Sequence, residues 1–117
     1  MTKQRYDSHS TEFGLWLRSQ RALGTKLGFV ATNLDYIWGN YDKKKWMLIE
    51  EKRWQAPLRH AQKQLIDLVD NCCNTDPMYQ GFALLQFERT SPEDGRIYWN
   101  NTEIDRDQLL KRLAFEE

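Results

Sequence analysis

A mixed α/β fold is what this sequence predicts, and three observations carry that expectation. Apolar residues recur at helical spacing in three separate segments; short β-prone runs divided by polar turns lie between them; and the two kinds alternate without the regularity of a doubly wound parallel sheet. With 117 residues, 40% of them hydrophobic and 13% aromatic, the chain has enough apolar surface for one compact core, so a single domain over 1–117 is expected.

The first helix is expected from about Ser10 to Leu23. There Phe13, Leu15, Trp16, Leu17 and Leu23 share one side of the wheel, and Gly14, Arg18 and Arg21 lie opposite. Gly24 to Gly28 ends it. Three β-prone runs follow, Phe29–Thr32, Leu34–Trp38 and Lys45–Trp54, the last two joined by the polar turn from Gly39 to Lys44. After Pro57, Leu58, Ala61, Leu65, Leu68, Val69 and Cys72 return at helical spacing until Asn74-Thr75-Asp76-Pro77 stops the pattern. Gly81–Glu88 has the length and composition of a strand, Pro92 to Gly95 of a turn, and Arg96–Trp99 of another strand. Asp105, with Gln108 three residues on, predicts a capping box before a last helix carrying Leu109, Leu110, Leu113 and Phe115. The expected order is α-β-β-β-α-β-β-α. Most of the tryptophans, Trp16, Trp38, Trp46, Trp54 and Trp99, are expected in the core, with one or two left to stack on unpaired bases or fill an interface.

Composition narrows the function. No apolar run approaches the roughly 18 to 20 residues a membrane span needs, and the N-terminal segment lacks an apolar signal core, so a soluble cytoplasmic protein is expected. Cys72 and Cys73 are adjacent and poorly placed to bond each other, and read as two buried thiols. His9 and His60 are too far apart, with no Cys near either, to suggest zinc. No Gly-rich phosphate loop is present. The 17 basic and 17 acidic residues cancel, but unevenly: residues 1–60 carry 11 basic and 6 acidic side chains, and residues 61–117 carry 6 and 11. A polyanion can be bound by such a chain only if its positive groups converge on one face.

Chemistry concentrates in the hairpin. Asp35 ends one β-prone run, and the next carries Glu50, Glu51 and Lys52. Alternate residues of a strand share a face, so Glu50 and Lys52 point the same way and an antiparallel neighbour brings Asp35 beside them. Two carboxylates are hard oxygen ligands for Mg²⁺ or Mn²⁺, and a lysine beside them can orient a water and stabilise negative charge developing on a phosphate.

Asp35 followed fifteen residues later by Glu50-Glu51-Lys52 resembles the motif of the PD-(D/E)XK nuclease superfamily. The likeness covers about residues 10–90 and extends to the order helix, three-stranded meander, helix, strand. It implies a restriction-endonuclease-like α/β core and a divalent-metal-dependent endonuclease acting on DNA, similar to small junction resolvases and phage nucleases, which work as homodimers. On that resemblance Asp35 and Glu50 hold the metal, Lys52 activates the water, Glu12 of the first helix adds a metal ligand, and Gln62 assists from the second helix. The wheel agrees for two of these: Glu12 falls within the apolar arc of its helix, and Gln62 lies between Leu58, Leu65 and Val69. Three features depart from the pattern: Leu34 precedes Asp35 where the family has proline, the positive charge is modest, and Glu51, where an apolar residue is usual, is expected to face the other side of the strand and either pair with Arg53, Arg59 or another basic group or lie where the strand is exposed.

Arg18, Lys26 and the run Lys43-Lys44-Lys45 read first as solvated surface and second as phosphate contacts. Two other readings stay open. The same fold without activity would serve as a nucleic-acid-binding or protein-interaction module, and the acidic C-terminal half could bind a basic partner.

Overall fold

The computed structural model describes residues 12–28 and 31–116. His9, Ser10, Phe29 and Val30 lie outside them. Contacts divide the chain into two units, Met1–Ala31 and Thr32–Glu117.

In the first unit, α1 (Glu12–Arg18) is followed by two 3₁₀ turns, Arg21–Leu23 and Thr25–Leu27. The helix is only 7 residues long. It ends early because Ser19 Oγ donates to the Trp16 carbonyl at 2.7 Å, a side-chain bond that competes with the next helical turn. The expectation that its apolar arc faces a core is corrected: α1 buries none of its residues, and Phe13 and Trp16 stack on each other at 6.0 Å.

The second unit is a five-stranded mixed sheet in the order β1 (Tyr36–Asn40), β2 (Lys45–Lys52), β3 (Tyr79–Phe87), β4 (Ile97–Trp99), β5 (Thr102–Ile104). Helix α2 (His60–Cys73) joins β2 to β3, and α3 (Arg106–Leu113) follows β5. Neighbouring strands are antiparallel except β2 and β3, whose parallel pairing requires a crossover, supplied by α2. The run Phe29–Thr32 forms no strand at its described residues, Ala31 and Thr32, so the hairpin β1–β2 is not preceded by a third meander strand there.

The sheet has two differently furnished faces. Met47 and Ile49 of β2, Ala83, Leu85 and Phe87 of β3, and Ile97, Trp99 and Ile104 of the C-terminal hairpin make one apolar core with Leu109, Leu113 and Phe115 from α3 and just beyond it. The Asp105 side chain accepts from the Gln108 amide and the Gln108 side chain accepts from the Asp105 amide, the capping box the sequence predicts. On the other face Leu48 and Glu50 lie beneath α2, which buries Gln62 and Ile66.

That helix is rotated from its expected setting. Leu68 and Val69 are 61% and 47% exposed, and Cys72 is exposed rather than buried. Two polar anchors fix the rotation: Gln62 donates to Glu50, and the Tyr79 hydroxyl donates to Asp70 at 2.6 Å. Gly81, at φ +106°, carries a β-bulge in β3, where one extra residue shifts the register against β2. The bulge brings Leu84 and Gln86 opposite Glu50 and Lys52.

No helix among the described residues is long and apolar enough to cross a membrane. Trp99 is buried, but Trp16, Trp38 and Trp54 are 53%, 41% and 66% exposed, against the expectation of a mostly buried set.

Candidate functional site

Asp35, Glu50, Lys52 and Gln62 meet at the open end of the β1–β2 hairpin. Tyr36 pairs with Ile49, so Asp35 lies just beyond the ladder, beside Glu50. There side chains continue what the backbone ladder stops doing. The Asp35 amide donates to Glu50 Oε1 at 3.2 Å, and Asp35 Oδ2 accepts from the Glu51 amide at 2.9 Å. The two bonds run in opposite directions across the hairpin and clasp its mouth.

Glu50 is the centre of the cluster. It is 4% exposed, so its charge must be met by protein groups. Oε2 accepts from Gln62 Nε2 at 2.9 Å and faces Lys52 Nζ at 3.5 Å. Burial raises the Glu50 carboxyl above the ordinary carboxylate range, and the Asp35 charge pushes the same way; Lys52, the Asp35 amide and Gln62 oppose them. With both acids ionised and Lys52 protonated, one negative charge is left over.

Gln62 is only partly satisfied: its Nε2 serves Glu50, whereas Oε1 is buried without a hydrogen-bond partner among the described residues. Such an acceptor marks a place where a donor, most simply a water or a protonated Glu50, can be taken up.

Glu51 belongs to the opposite face. It accepts from Arg53 Nε and from the Tyr36 hydroxyl, both at 3.4 Å, and its charge raises the tyrosine's proton affinity. The basic partner expected for it is therefore Arg53.

The remaining sequence candidates fall elsewhere. Glu12 is on the first turn of α1 and exposed, in the N-terminal unit rather than the unit that holds Asp35, Glu50 and Lys52; Arg18 and Lys26 lie in the same N-terminal unit, both exposed. The Lys43 ammonium donates to the Ala114 carbonyl at 2.7 Å and so caps the end of α3. Lys44 is exposed in the turn at φ +59°, and Lys45 is half-buried at the start of β2. An open depression of about 650 Å³ lies there, between Ile37, Tyr41 and Trp46, at the far end of the hairpin from the cluster and lined by no carboxylate.

One participant escaped sequence reasoning. Gln86, 7% exposed and paired with Lys52 across the parallel strands, donates to the Ala56 carbonyl at 2.9 Å and fixes the loop after β2. Its signal was a glutamine following the apolar run Phe82–Leu85, legible only once the parallel register is known.

Among the described residues no three His, Cys, Asp or Glu converge. The oxygen donors that could face a cation here are the carboxylates of Asp35 and Glu50, hard ligands of the type divalent cations take. No protein-family model, curated protein or solved structure matches this chain.

Proposed function

We propose that the chain is a divalent-metal-dependent phosphodiesterase, a nuclease acting on DNA, with its site at Asp35, Glu50, Lys52 and Gln62. The observation that carries this reading is the buried Glu50 carboxylate held beside a second carboxylate and within 3.5 Å of an ammonium. A chain selected for stability alone gains little from burying charge in this way.

Hydrolysis adds a water oxygen to phosphorus and breaks the bond to the leaving oxygen, so charge grows on the phosphate oxygens. Bound at Asp35 and Glu50, Mg²⁺ would supply Lewis-acid polarisation and a more acidic water. Lys52 holds the attacking water and meets the growing phosphate charge. Gln62 keeps Glu50 in its working rotamer through Nε2 and offers Oε1 to a water. The Asp35–Glu51 bond fixes the Asp35 carboxylate at the hairpin mouth, so its second oxygen is the one presented to a cation.

One observation favours a second reading. Both Glu50 oxygens already engage protein groups, as they would if the cluster only closed the hairpin and the domain bound nucleic acid without cutting it. A cleavage assay separates the two. Supercoiled plasmid, single-stranded DNA, RNA and a four-way junction are incubated with Mg²⁺ or Mn²⁺, with Lys52→Ala and Asp35→Ala alongside. Metal-dependent cutting lost in both variants supports the nuclease; retention of DNA with no cutting under either metal leaves the binding module.

A further inference from the structure

The chain leaving β2 turns sharply, and the turn aims a tryptophan outward. Trp54 and Gln55 adopt φ +56° and +54° in succession, a left-handed conformation unusual for any residue with a side chain and more so for a bulky aromatic. Such a backbone persists only where its surroundings over-determine it. Here they do. The Trp54 amide donates to the Arg89 carbonyl at 2.8 Å, the Gln55 amide to the Phe87 carbonyl at 2.7 Å, and the buried Gln86 side chain to the Ala56 carbonyl at 2.9 Å. Fixed by these bonds, Trp54 is 66% exposed, two residues along the chain from Lys52.

The segments that hold Trp54 in place also carry arginines. Arg53 precedes it, Arg89 is bonded to it through the backbone, and Arg59 follows on the same connection; all three are exposed. The nearby acids are engaged. Glu51 pairs with Arg53, Glu88 accepts from the Arg96 amide, and Asp94 accepts from the Thr90 and Ser91 amides. An aromatic face among cations is the pattern by which proteins hold unpaired strands, since every base can stack and every phosphate is anionic. A paired base offers no such face.

We propose that Trp54 is the stacking platform for an unpaired nucleobase next to the Asp35–Glu50–Lys52 cluster, and that the substrate is a nucleic-acid strand unpaired where it is cut. This deepens the nuclease reading and rests on it for the cleavage, though not for the stacking.

The test compares the full-length chain with Trp54→Asn, which tolerates the left-handed backbone but has no ring, and with Trp54→Phe, which restores one. Binding of a fluorescent oligothymidylate and of a two-stranded blunt-ended duplex is measured by anisotropy in EDTA, and cleavage of both is then followed in Mg²⁺. Trp54→Asn should weaken single-strand binding about tenfold, with Trp54→Phe recovering most of it and duplex binding changing by less than about twofold. Single-strand binding unchanged in Trp54→Asn, or lost equally for the duplex, overturns the proposal even if the parent chain cuts DNA. Trp54-dependent binding with no cleavage upholds the stacking site and removes the nuclease. No binding of either nucleic acid by the parent chain overturns both.

Discussion

Replacing Lys52 by methionine isolates the energetics of the cluster. The substitution keeps the aliphatic stem and deletes the charge 3.5 Å from Glu50 Oε2. At that distance, with an effective permittivity of about 20, the attraction is about 5 kcal/mol before desolvation is counted. The carboxylate is 4% exposed, and leaving one member of a buried pair without the other costs about 3 to 5 kcal/mol. Lys52 is 20% exposed in its side chain, and Glu50 retains the Asp35 amide and Gln62 as donors, which places the loss near about 3 kcal/mol. Urea unfolding at neutral pH in EDTA measures it. Glu50→Gln/Lys52→Met removes both charges and should recover most of the loss, because Gln62 can turn its amide to accept from the new one. The pH dependence has a definite sign. Glu50's proton affinity is already raised in the folded chain, and removing Lys52 raises it further; a raised carboxyl favours the folded state when protonated and loses that contribution as pH rises through its folded value. The Lys52→Met deficit should therefore grow as pH rises and shrink on acidification. A loss below about 1 kcal/mol, or a double variant no more stable than Lys52→Met, would refute the view that Lys52 compensates a buried charge.

Asp35→Asn keeps an acceptor for the Glu51 amide, so stability should change by no more than about 1 kcal/mol in urea, while metal-dependent cleavage falls by about a hundredfold or more. Gly81→Ala should cost about 1 to 3 kcal/mol by thermal unfolding, a purely torsional penalty at φ +106°, because an added Cβ meets no atom within 4 Å. Asp105→Ala should cost about 1 kcal/mol through the lost cap of α3, and Asp105→Ser, which can cap, should restore most of it.

The hairpin, α2, β3 and α3 were legible in the sequence because each carries a local signal that tertiary contacts reinforce. Period-two alternation put Glu50 and Lys52 on one face and Glu51 on the other, and the capping box at Asp105 needed only residues three apart. What failed was whatever depended on packing. The apolar arc of α1 looks like a core face on the wheel, but seven residues with Ser19 bonded back to Trp16 bury nothing. On α2 the wheel weighed Leu68 and Val69, whereas Gln62 and Asp70 set the rotation through bonds to residues 12 and 9 positions away. Strand β5 is three residues long, and its turn, Asn100-Asn101 with both residues at positive φ, is a two-residue hairpin loop without the glycine that usually announces one.

The same distinction bears on why the cluster lies where it does. Among the described residues β1 pairs only with β2, and all five of its residues are exposed, so packing does little to position an acid at its head. Asp35 is positioned instead by two hydrogen bonds to the well-buried β2, one given and one accepted. Behind it β2, with Gln62 of α2 bonded to it, keeps Glu50 fixed and poorly hydrated. Poor hydration raises the energy of the ionised Glu50, and a cation or an ammonium at the mouth lowers it. A site with buried Glu50 behind and half-buried Asp35 in front therefore gains most from a ligand that brings positive charge to the hairpin's open end.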